Sequence, residues 1–303
     1  MLKKEAITDW FRELQEGICS ALEEEDGKGK FHEDQWQRME GGGGRSRVMT
    51  DGRVIEKGGV NFSAVHGPLP QNIAEALKLS ASSFYATGVS IVIHPHNPLM
   101  PIIHMNVRYF ETFSKDSDND DTWWFGGGID LTPHYVNKED AAWFHRQLRE
   151  VCDRHHPDYY HRFKTWADDY FYIAHRQETR GIGGIFFDRL GKSEGTKEKL
   201  FEFVKEVGLS FAPIYTHFMQ RNAHLEFSQA HKNWQMMRRS RYVEFNLVWD
   251  KGTKFGLQTN GRIESILMSM PPKAVWEYNH QPEQGTSEAE TLSLLRKGIN
   301  WLE

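Results

Sequence analysis

The order of helical and strand-like segments predicts an α+β fold with one large, mostly antiparallel β-sheet. Helical patterns are interspersed with hairpins, whereas a doubly wound sheet requires strict alternation of strand and helix. The chain has 303 residues, 39% of them hydrophobic, which is enough to bury roughly three quarters of the surface of the unfolded chain. No internal repeat and no linker divides the chain, so we expect a single domain over residues 1–303.

Residues 1–40 are predicted to be an N-terminal helical segment. Within it, apolar residues recur at helical spacing and predict an amphipathic helix over residues 3–25. Four glycines at 41–44 and the turn signal Asp51-Gly52 then predict a hairpin. Arginines beside these glycines leave two interpretations open, a flexible anion-binding flap or an ordinary glycine-rich hairpin, and the pattern alone slightly favours the hairpin.

The stretch 90–110 holds two strand-like runs joined by a proline-rich loop. In the second run, residues 102–110, side chains alternate between the two faces of a strand. One of these faces is apolar, and the other carries His104, Asn106 and Arg108. We therefore expect one face to belong to the core and the other to bind a large anionic ligand.

A further strand-like run, residues 122–136, is predicted to form a hairpin with residues 102–113. Its three consecutive glycines remove side chains where another backbone or a flat ligand must approach closely. Asp130 follows these glycines and would lie across the hairpin from His104. The two residues are candidates for an acid/base pair.

The remaining segments are predicted mainly as helices. Helical patterns cover residues 69–83, 138–156, 158–176, 196–220, 221–239, 263–268 and 288–302. Residues 178–188 combine Arg180, a glycine cluster and a short apolar strand, whereas the acidic run 114–121 predicts a solvated connection. The alternating run 242–250 predicts a strand that pairs with residues 254–259.

Composition excludes several classes of protein. The formal charge of −5 lacks the basic excess of a nucleic-acid-binding protein. The two cysteines, Cys19 and Cys152, lie far apart, so neither a disulfide framework nor a zinc-thiolate site is expected. No apolar run approaches the length of a membrane span, and the acidic N-terminus is typical of neither a signal peptide nor a transit peptide. We therefore expect a cytoplasmic protein.

Common nucleotide-binding and hydrolase motifs are also absent. The run GIGGIF at 181–186 and the triplet Gly191-Lys192-Ser193 each lack a required glycine, because Phe186 stands in its place. Neither HExxH nor GxSxG occurs. What remains is histidine and arginine chemistry among glycines and aromatic side chains.

Four long motifs resemble those of the oxygen-dependent coproporphyrinogen III oxidases: HPHNPLMPIIHMNVRYF, WWFGGGIDLTPHYV, HRQETRGIGGIFFD and YVEFNLVWDKGTKFGLQTNGRIESILMSMPP. The resemblance implies a flat antiparallel sheet between two layers of helices, and a homodimer in which residues 242–278 take part in dimerisation. It also implies oxidative decarboxylation of two propionates of coproporphyrinogen III to vinyls, in haem biosynthesis. The products would be protoporphyrinogen IX, CO2 and H2O2, with O2 as co-substrate and no organic cofactor.

The same resemblance implies roles for single residues. His104 resembles the proton donor, while Asp130 and Arg180 resemble residues that hold a pyrrole N–H and a carboxylate. Substrate contacts are implied for Ser90, Asn106, Val107, Arg108, Asn260, Gly261 and Arg262. His94, His145 and His175 match positions sometimes assigned to a divalent metal.

Chemistry supports part of this picture, because Arg108, Arg180 and Arg262 are suitable bidentate partners for the four carboxylates of such a substrate. Other interpretations stay open. His104 could be a buried structural histidine, and Asp130 could cap the turn that follows it. Two other kinds of protein are also compatible, a non-haem metal oxygenase built on His94, His96 and a carboxylate, and a tetrapyrrole carrier that binds without turnover.

Overall fold

Seven strands form one antiparallel sheet in the computed structural model, which describes residues 2–69, 74–75, 82–113, 122–258 and 261–303. In spatial order the strands are β1 (His32–Gln37), β2 (Gly42–Thr50), β3 (Ile55–Pro68), β4 (Ser83–Pro95), β5 (Ile102–Phe113), β6 (Trp123–Thr132) and β9 (Gly184–Gly191). A separate two-stranded ribbon consists of β7 (Tyr172–Ile173) and β8 (Glu178–Thr179). Within the sheet, each strand from β2 to β6 pairs with the strand before it in the chain.

The described helices are α1 (Lys4–Asp26), α2 (Lys138–Asp153), α3 (Tyr159–Tyr170), α4 (Lys197–Asn222), α5 (Gln229–Glu244), α6 (Lys251–Gln258), α7 (Ile263–Leu267) and α8 (Ser287–Leu294). A five-residue π-helix, Phe245–Trp249, continues α5. These elements confirm the predicted α+β fold with an antiparallel sheet. Among the helices of the described ranges, none is both long enough and apolar enough to cross a membrane.

One face of the sheet belongs to the main core. Ile103, Met105, Val107 and Tyr109 of β5 are fully buried on this face, as the alternation of the strand predicts. Helix α1 packs on β3 and β4, and α4 packs on β5 and β6. Burial of each large apolar side chain contributes roughly 1.5–3 kcal/mol, so the register of β5 is fixed from this side.

The opposite face, here called the polar face, carries His104, Asn106 and Arg108, all half-buried. Helices cover one end of it. Tyr242 of α5 packs against Val92, and the side chain of Met268 lies over Gly59, where a Cβ would come within 2.9 Å of the sulfur. Helices therefore flank both faces, as predicted.

The predicted strand at 242–250 is wrong. Residues 242–244 complete α5, the π-helix follows, and residues 254–258 belong to α6. The alternating apolar residues suggested a strand, but Tyr242 and Phe245, three residues apart, are both buried on one side of a helical segment. Packing of these rings decides the structure against the local alternation.

Several predicted helical segments have different bounds, including 221–239, which corresponds to α5 from Gln229 to Glu244. The segment 1–40 contains β1 as well as α1, and α3 stops at Tyr170 because the chain turns into the β7–β8 ribbon. At the C-terminus, α8 ends at Leu294, and Gly298 adopts a φ of 79° that breaks the pattern. Most of the predicted helix 69–83 and the whole acidic run 114–121 lie outside the described residues.

The glycine-rich hairpin is confirmed as β2 and β3, joined through Asp51-Gly52. Its cations are paired within the protein. Arg45 donates to Gln15 and Glu16, Arg47 donates to Glu33, and Lys57 donates to the backbone carbonyl of Met270. These contacts favour an ordinary structural hairpin over an anion-binding flap.

Candidate active site

A row of polar residues crosses the polar face perpendicular to the strands. The polar residues at successive paired positions are Asp34, Ser46, Asn61, Ser90 and Asn106, and Gly128 of β6 ends the row. Directly paired residues of an antiparallel sheet point to the same side. Because neighbouring strands lie about 4.8 Å apart, the row is about 24 Å long. Its half-buried members Asn61, Ser90 and Asn106 can present hydrogen-bonding groups to a ligand larger than a single carboxylate, whereas Ser46 is buried.

The next residues along the strands add charge and aromatic surface. Arg108 of β5 pairs with Gly126 of β6, and Phe110 pairs with Trp124. The rings of Phe110 and Trp124 stack with centroids 4.5 Å apart, and Phe84 stacks on Phe110 at 5.7 Å. An aromatic floor therefore lies beside the polar row, where a flat ring system could rest.

His104 and Asp130 form a hydrogen-bonded pair on this face. They are directly opposite each other in β5 and β6, and Nδ1 of His104 lies 2.8 Å from Oδ1 of Asp130. Asp130 is 1% exposed, whereas the His104 side chain is 21% exposed. Because an ionised carboxylate can only accept a hydrogen bond, we place the proton of a neutral His104 on Nδ1. Nε2 is then the nitrogen that can take up a further proton.

Arg180 holds the other side of the Asp130 carboxylate. Its Nη2 donates to Oδ1 at 2.7 Å and to Oδ2 at 2.8 Å, and its Nη1 donates to Oδ1 of Asn246 at 2.8 Å. The guanidinium also lies within 5 Å of the ring centroids of Phe171, Tyr242 and Phe245. Arg180 is therefore a buried cation paired through both terminal nitrogens, whereas its Nε has no hydrogen-bond partner among the described residues.

Two opposing effects set the pKa of Asp130. Burial disfavours the carboxylate, but the charge of Arg180 and the hydrogen bond from His104 outweigh it, so the pKa lies below its usual value. Asp130 is thus an ionised group that orients His104, in the way that a buried carboxylate orients the histidine of a catalytic triad. These bonds favour the acid/base interpretation of Asp130 over a turn cap.

Arg108 is an accessible arginine of the site, with 38% of its side chain exposed. Its Nη1 donates to Asn106 Oδ1 at 2.7 Å, and its Nη2 donates to Asp188 Oδ1 at 2.9 Å. The pair with Asp188 crosses the intervening strand β6 over Gly126. A Cβ at Gly126 would lie 2.5 Å from Asp188 Oδ1 and 2.8 Å from Arg108 Nε, so only glycine admits this contact.

Arg262 lies at the other end of the polar row. It donates to Asp34 of β1 and, at 3.1 Å, to Ser265 Oγ. Ser265 Oγ in turn lies 2.8 Å from Ser46 Oγ. Gly261, the preceding residue, donates its backbone N–H to the carbonyl of Gly256, and Asn260 lies outside the described residues.

The other predicted substrate contacts fall on both faces. Ser90 is half-buried on the polar face, between Asn61 and Asn106. Val107 points into the core on the opposite face and is fully buried. Any contact of Val107 with a ligand on the polar face is restricted to its backbone.

The three histidines matched to a metal do not come together. His94 lies 2.8 Å from the carbonyl of Ser269, His145 lies between Tyr160 and the carbonyl of Ile182, and His175 lies 2.7 Å from Glu244. Within the described ranges, no group of three or more His, Cys, Asp or Glu side chains is arranged to hold a metal ion. The structure thus gives no support to a site shared by these residues.

Asp188 and Asn246 belong to the site but were not predicted from the sequence. Gly184, Phe186 and Asp188 alternate in β9, and this parity is the signal that could have placed Asp188 on the polar face. Asn246 gave no such signal, since its approach to Arg180 depends on the π-helix.

Comparison with known proteins assigns a family to this arrangement. The chain matches the family model described as coproporphyrinogen III oxidase over residues 6–301. It is 50% identical to the oxygen-dependent coproporphyrinogen-III oxidase, mitochondrial, of Rattus norvegicus. The alignment extends over 300 residues and covers 96% of this chain and 67% of the relative. The Homo sapiens protein of the same name is also 50% identical, over 96% of this chain and 65% of its own length.

A plant relative gives a similar result. Coproporphyrinogen-III oxidase 1, chloroplastic, of Arabidopsis thaliana is 49% identical over 96% of this chain and 77% of its own length. The chain spans about two thirds of the length of the two mammalian relatives.

Proposed function

The chain belongs to the coproporphyrinogen III oxidase family, and from this premise we propose that it converts coproporphyrinogen III to protoporphyrinogen IX. In this reaction O2 oxidatively decarboxylates two propionate side chains to vinyls, with release of CO2 and H2O2. The reaction is a step of haem biosynthesis.

The observation that carries the proposal is the His104–Asp130 pair on the same open face as Arg108. The pair supplies a group that can exchange a proton, and Arg108 supplies a bidentate partner for a propionate. The aromatic floor of Phe110 and Trp124 offers a surface for pyrrole rings. Each part of the substrate thus has a chemically suitable partner.

Proton balance gives His104 a defined task. Each propionate loses CO2 together with two electrons and one proton, whereas reduction of O2 to H2O2 takes up two electrons and two protons. One further proton is therefore needed for every vinyl formed. We assign its delivery to Nε2 of protonated His104, which Asp130 stabilises through Nδ1.

The electron-rich substrate is itself the reductant, so the proposed reaction needs neither an organic cofactor nor a metal. Activity should persist after exhaustive chelation of metals, with turnover per subunit unchanged. Loss of activity that returns with one added metal would instead identify a metal-dependent oxygenase.

Aerobic incubation of the purified protein with coproporphyrinogen III tests the activity. We expect the divinyl product with two CO2 per molecule, and no product under nitrogen. Tight binding without vinyl formation would identify a tetrapyrrole carrier, and equal product with and without O2 would also contradict the proposal.

A homodimer is also part of the proposal, with residues 242–278 at the contact. Apolar side chains are exposed throughout this segment, including Leu247 (45%), Ile263 (59%) and Trp276 (54%). Exposed apolar surface of this kind is typical of an interface. Sedimentation should show a dimer that Leu247→Asp and Ile263→Asp together convert to monomer, whereas a wild-type monomer would rule it out.

The cytoplasmic location stays a prediction. The names of the relatives place them in mitochondria or chloroplasts, and that statement applies to those proteins. Cell fractionation with an antibody against this chain would determine its compartment.

A further inference from the structure

Two arginines of the polar face are each paired with an aspartate from an edge strand of the sheet. At one end Arg108 donates to Asp188 of β9, and at the other Arg262 donates to Asp34 of β1. The β1 and β9 strands are the two edges of the seven-stranded sheet. The same arrangement therefore occurs at both ends of the surface assigned above to the substrate.

Both pairs are accessible. The side chains of Arg108 and Asp188 are 38% and 33% exposed, and those of Arg262 and Asp34 are 28% and 55% exposed. Exposed ion pairs add little net stability because water solvates the separated charges almost as well. Arg180 differs, since its pair with Asp130 is buried and three aromatic rings lie within 5 Å of the guanidinium.

We propose that Asp188 and Asp34 pair with Arg108 and Arg262 only while no ligand is bound. When the ligand binds, its carboxylates replace those of Asp188 and Asp34 as the partners of the two arginines. The inference rests on the proposed function, in which the ligand carries four carboxylates. A ligand carboxylate on Arg108 comes close to Asp188, and repulsion between the two negative charges opposes binding until Asp188 gives way. Asn106 still holds Nη1 and keeps the guanidinium in place.

Exchange of the carboxylate partners would assist the steps that follow decarboxylation. Decarboxylation turns two of the four carboxylates into CO2 and neutral vinyls, so an arginine that held a reacting propionate loses its partner. Asp188 or Asp34 can then pair with that arginine again. The return of the internal carboxylate lowers the affinity for the product and promotes its release or its rotation to the second propionate.

Binding measured under nitrogen, where the substrate cannot react, tests the inference. Asp188→Asn should lower the Kd for coproporphyrinogen III about threefold, because a neutral amide removes the competing charge. Under air, KM and kcat should both fall, since the dicarboxylate product also leaves more slowly. A merely structural ion pair would lower the melting temperature and leave Kd unchanged.

Two comparisons make the test specific. Glu194→Gln removes a carboxylate from the Arg162–Glu194 pair, whose side chains are 43% and 32% exposed, and it should leave Kd unchanged. In an Arg108→Ala background, Asp188→Asn should have no effect on Kd, because the arginine through which it acts is gone.

Asp34→Asn provides an independent variant at the other end of the polar face. Because Asp34 is exposed, this substitution should leave the fold intact. It should also lower Kd. An increase or no change in Kd for both Asp188→Asn and Asp34→Asn would overturn the inference, as would an equal effect of Glu194→Gln. These Kd differences do not depend on turnover, so they can fail while the aerobic assay succeeds, or the reverse.

Discussion

At the scale of single residues, the site separates a buried charge pair from an accessible one. Asp130 and Arg180 neutralise each other inside the protein, and their role is to hold His104. Arg108 keeps its charge at the surface, where a ligand can reach it. The difference in burial predicts different kinetic consequences for substitutions at His104 and Arg108.

His104→Ala should lower kcat by about 100-fold or more, because a positioned general acid typically contributes at least this factor. KM should change much less, since the imidazole exchanges a proton and does not carry a ligand carboxylate. Steady-state assays of vinyl product would measure both constants. His224→Ala, at an exposed histidine outside the site, is the control, and equal kcat in the His104 variant and wild type would contradict the assignment.

Arg108→Ala should raise KM about tenfold or more with a smaller change in kcat, because a charge-assisted bidentate bond to a carboxylate is lost. Arg162→Ala removes a comparably exposed arginine remote from the polar face and should leave KM unchanged. An effect on kcat alone would show that Arg108 acts on the transition state and not on binding.

At the scale of elements, the π-helix Phe245–Trp249 orients its first two side chains toward Arg180. Phe245 packs on the guanidinium and Asn246 accepts its Nη1 hydrogen bond, both in the buried interior. Leu247, next in sequence, is exposed. The wider turn of a π-helix is often found at functional sites, and here it supplies two neighbouring residues to one cation.

Asn246→Ala should lower the free energy of unfolding by about 1–3 kcal/mol, because Nη1 of a buried arginine is left without an acceptor. Leu209→Ala, at an exposed position of α4 outside the proposed dimer contact, should change it by less than about 0.5 kcal/mol. Urea unfolding of both variants at one protein concentration measures the difference. Equal effects would show that the Arg180–Asn246 bond does not stabilise the fold.

At the scale of the whole molecule, buried neutral histidines couple stability to pH. Burial lowers the pKa of His145 to about 3. Burial also lowers the pKa values of His94 and His134 well below the usual range, and in both cases the charge of Arg239 adds to the effect. Because the unfolded chain binds protons at these residues near pH 6.5 and the folded chain does not, stability falls as the pH falls through that value.

His145→Gln should reduce this pH dependence. Between pH 7.5 and pH 5.5 the unfolded chain gains nearly one proton at His145, which lowers the free energy of unfolding by about 1.4 kcal/mol. Glutamine can still accept from Tyr160 and donate to the carbonyl of Ile182, but it does not titrate. Urea unfolding at the two pH values should show a loss smaller by this amount in the variant, and an unchanged loss would contradict the assignment.

Strand alternation predicted the central part of the site well. It placed His104, Asn106 and Arg108 on one face, and the hairpin signal placed Asp130 opposite His104. These predictions succeed because a period of two and a short connection leave little freedom to the register. The apolar face gave the same answer independently, since Ile103, Met105 and Tyr109 are all buried.

Residues that reach the site through irregular structure could not be predicted in this way. Alternation could place Asp188 on the polar face but not opposite Arg108, because the register between β6 and β9 shifts at this point and the neighbouring Arg189 has a φ of 53°. Asn246 lies in a helix that the sequence pattern predicted as a strand. The ion pair of Arg180 with Asp130 could not be predicted either, because a sequence does not show whether an arginine is paired inside the protein.

The sequential order of the sheet has a consequence for synthesis of the chain. Strands β1 to β6 can pair one after another as they leave the ribosome, and this locality favours rapid folding. Asp188, Arg180, Asn246 and Arg262 all come from the part of the chain made later. A nascent chain that ends before residue 178 could thus form six strands of the sheet and still lack a complete site. The protein can become active only after the residues that follow these six strands have been synthesised.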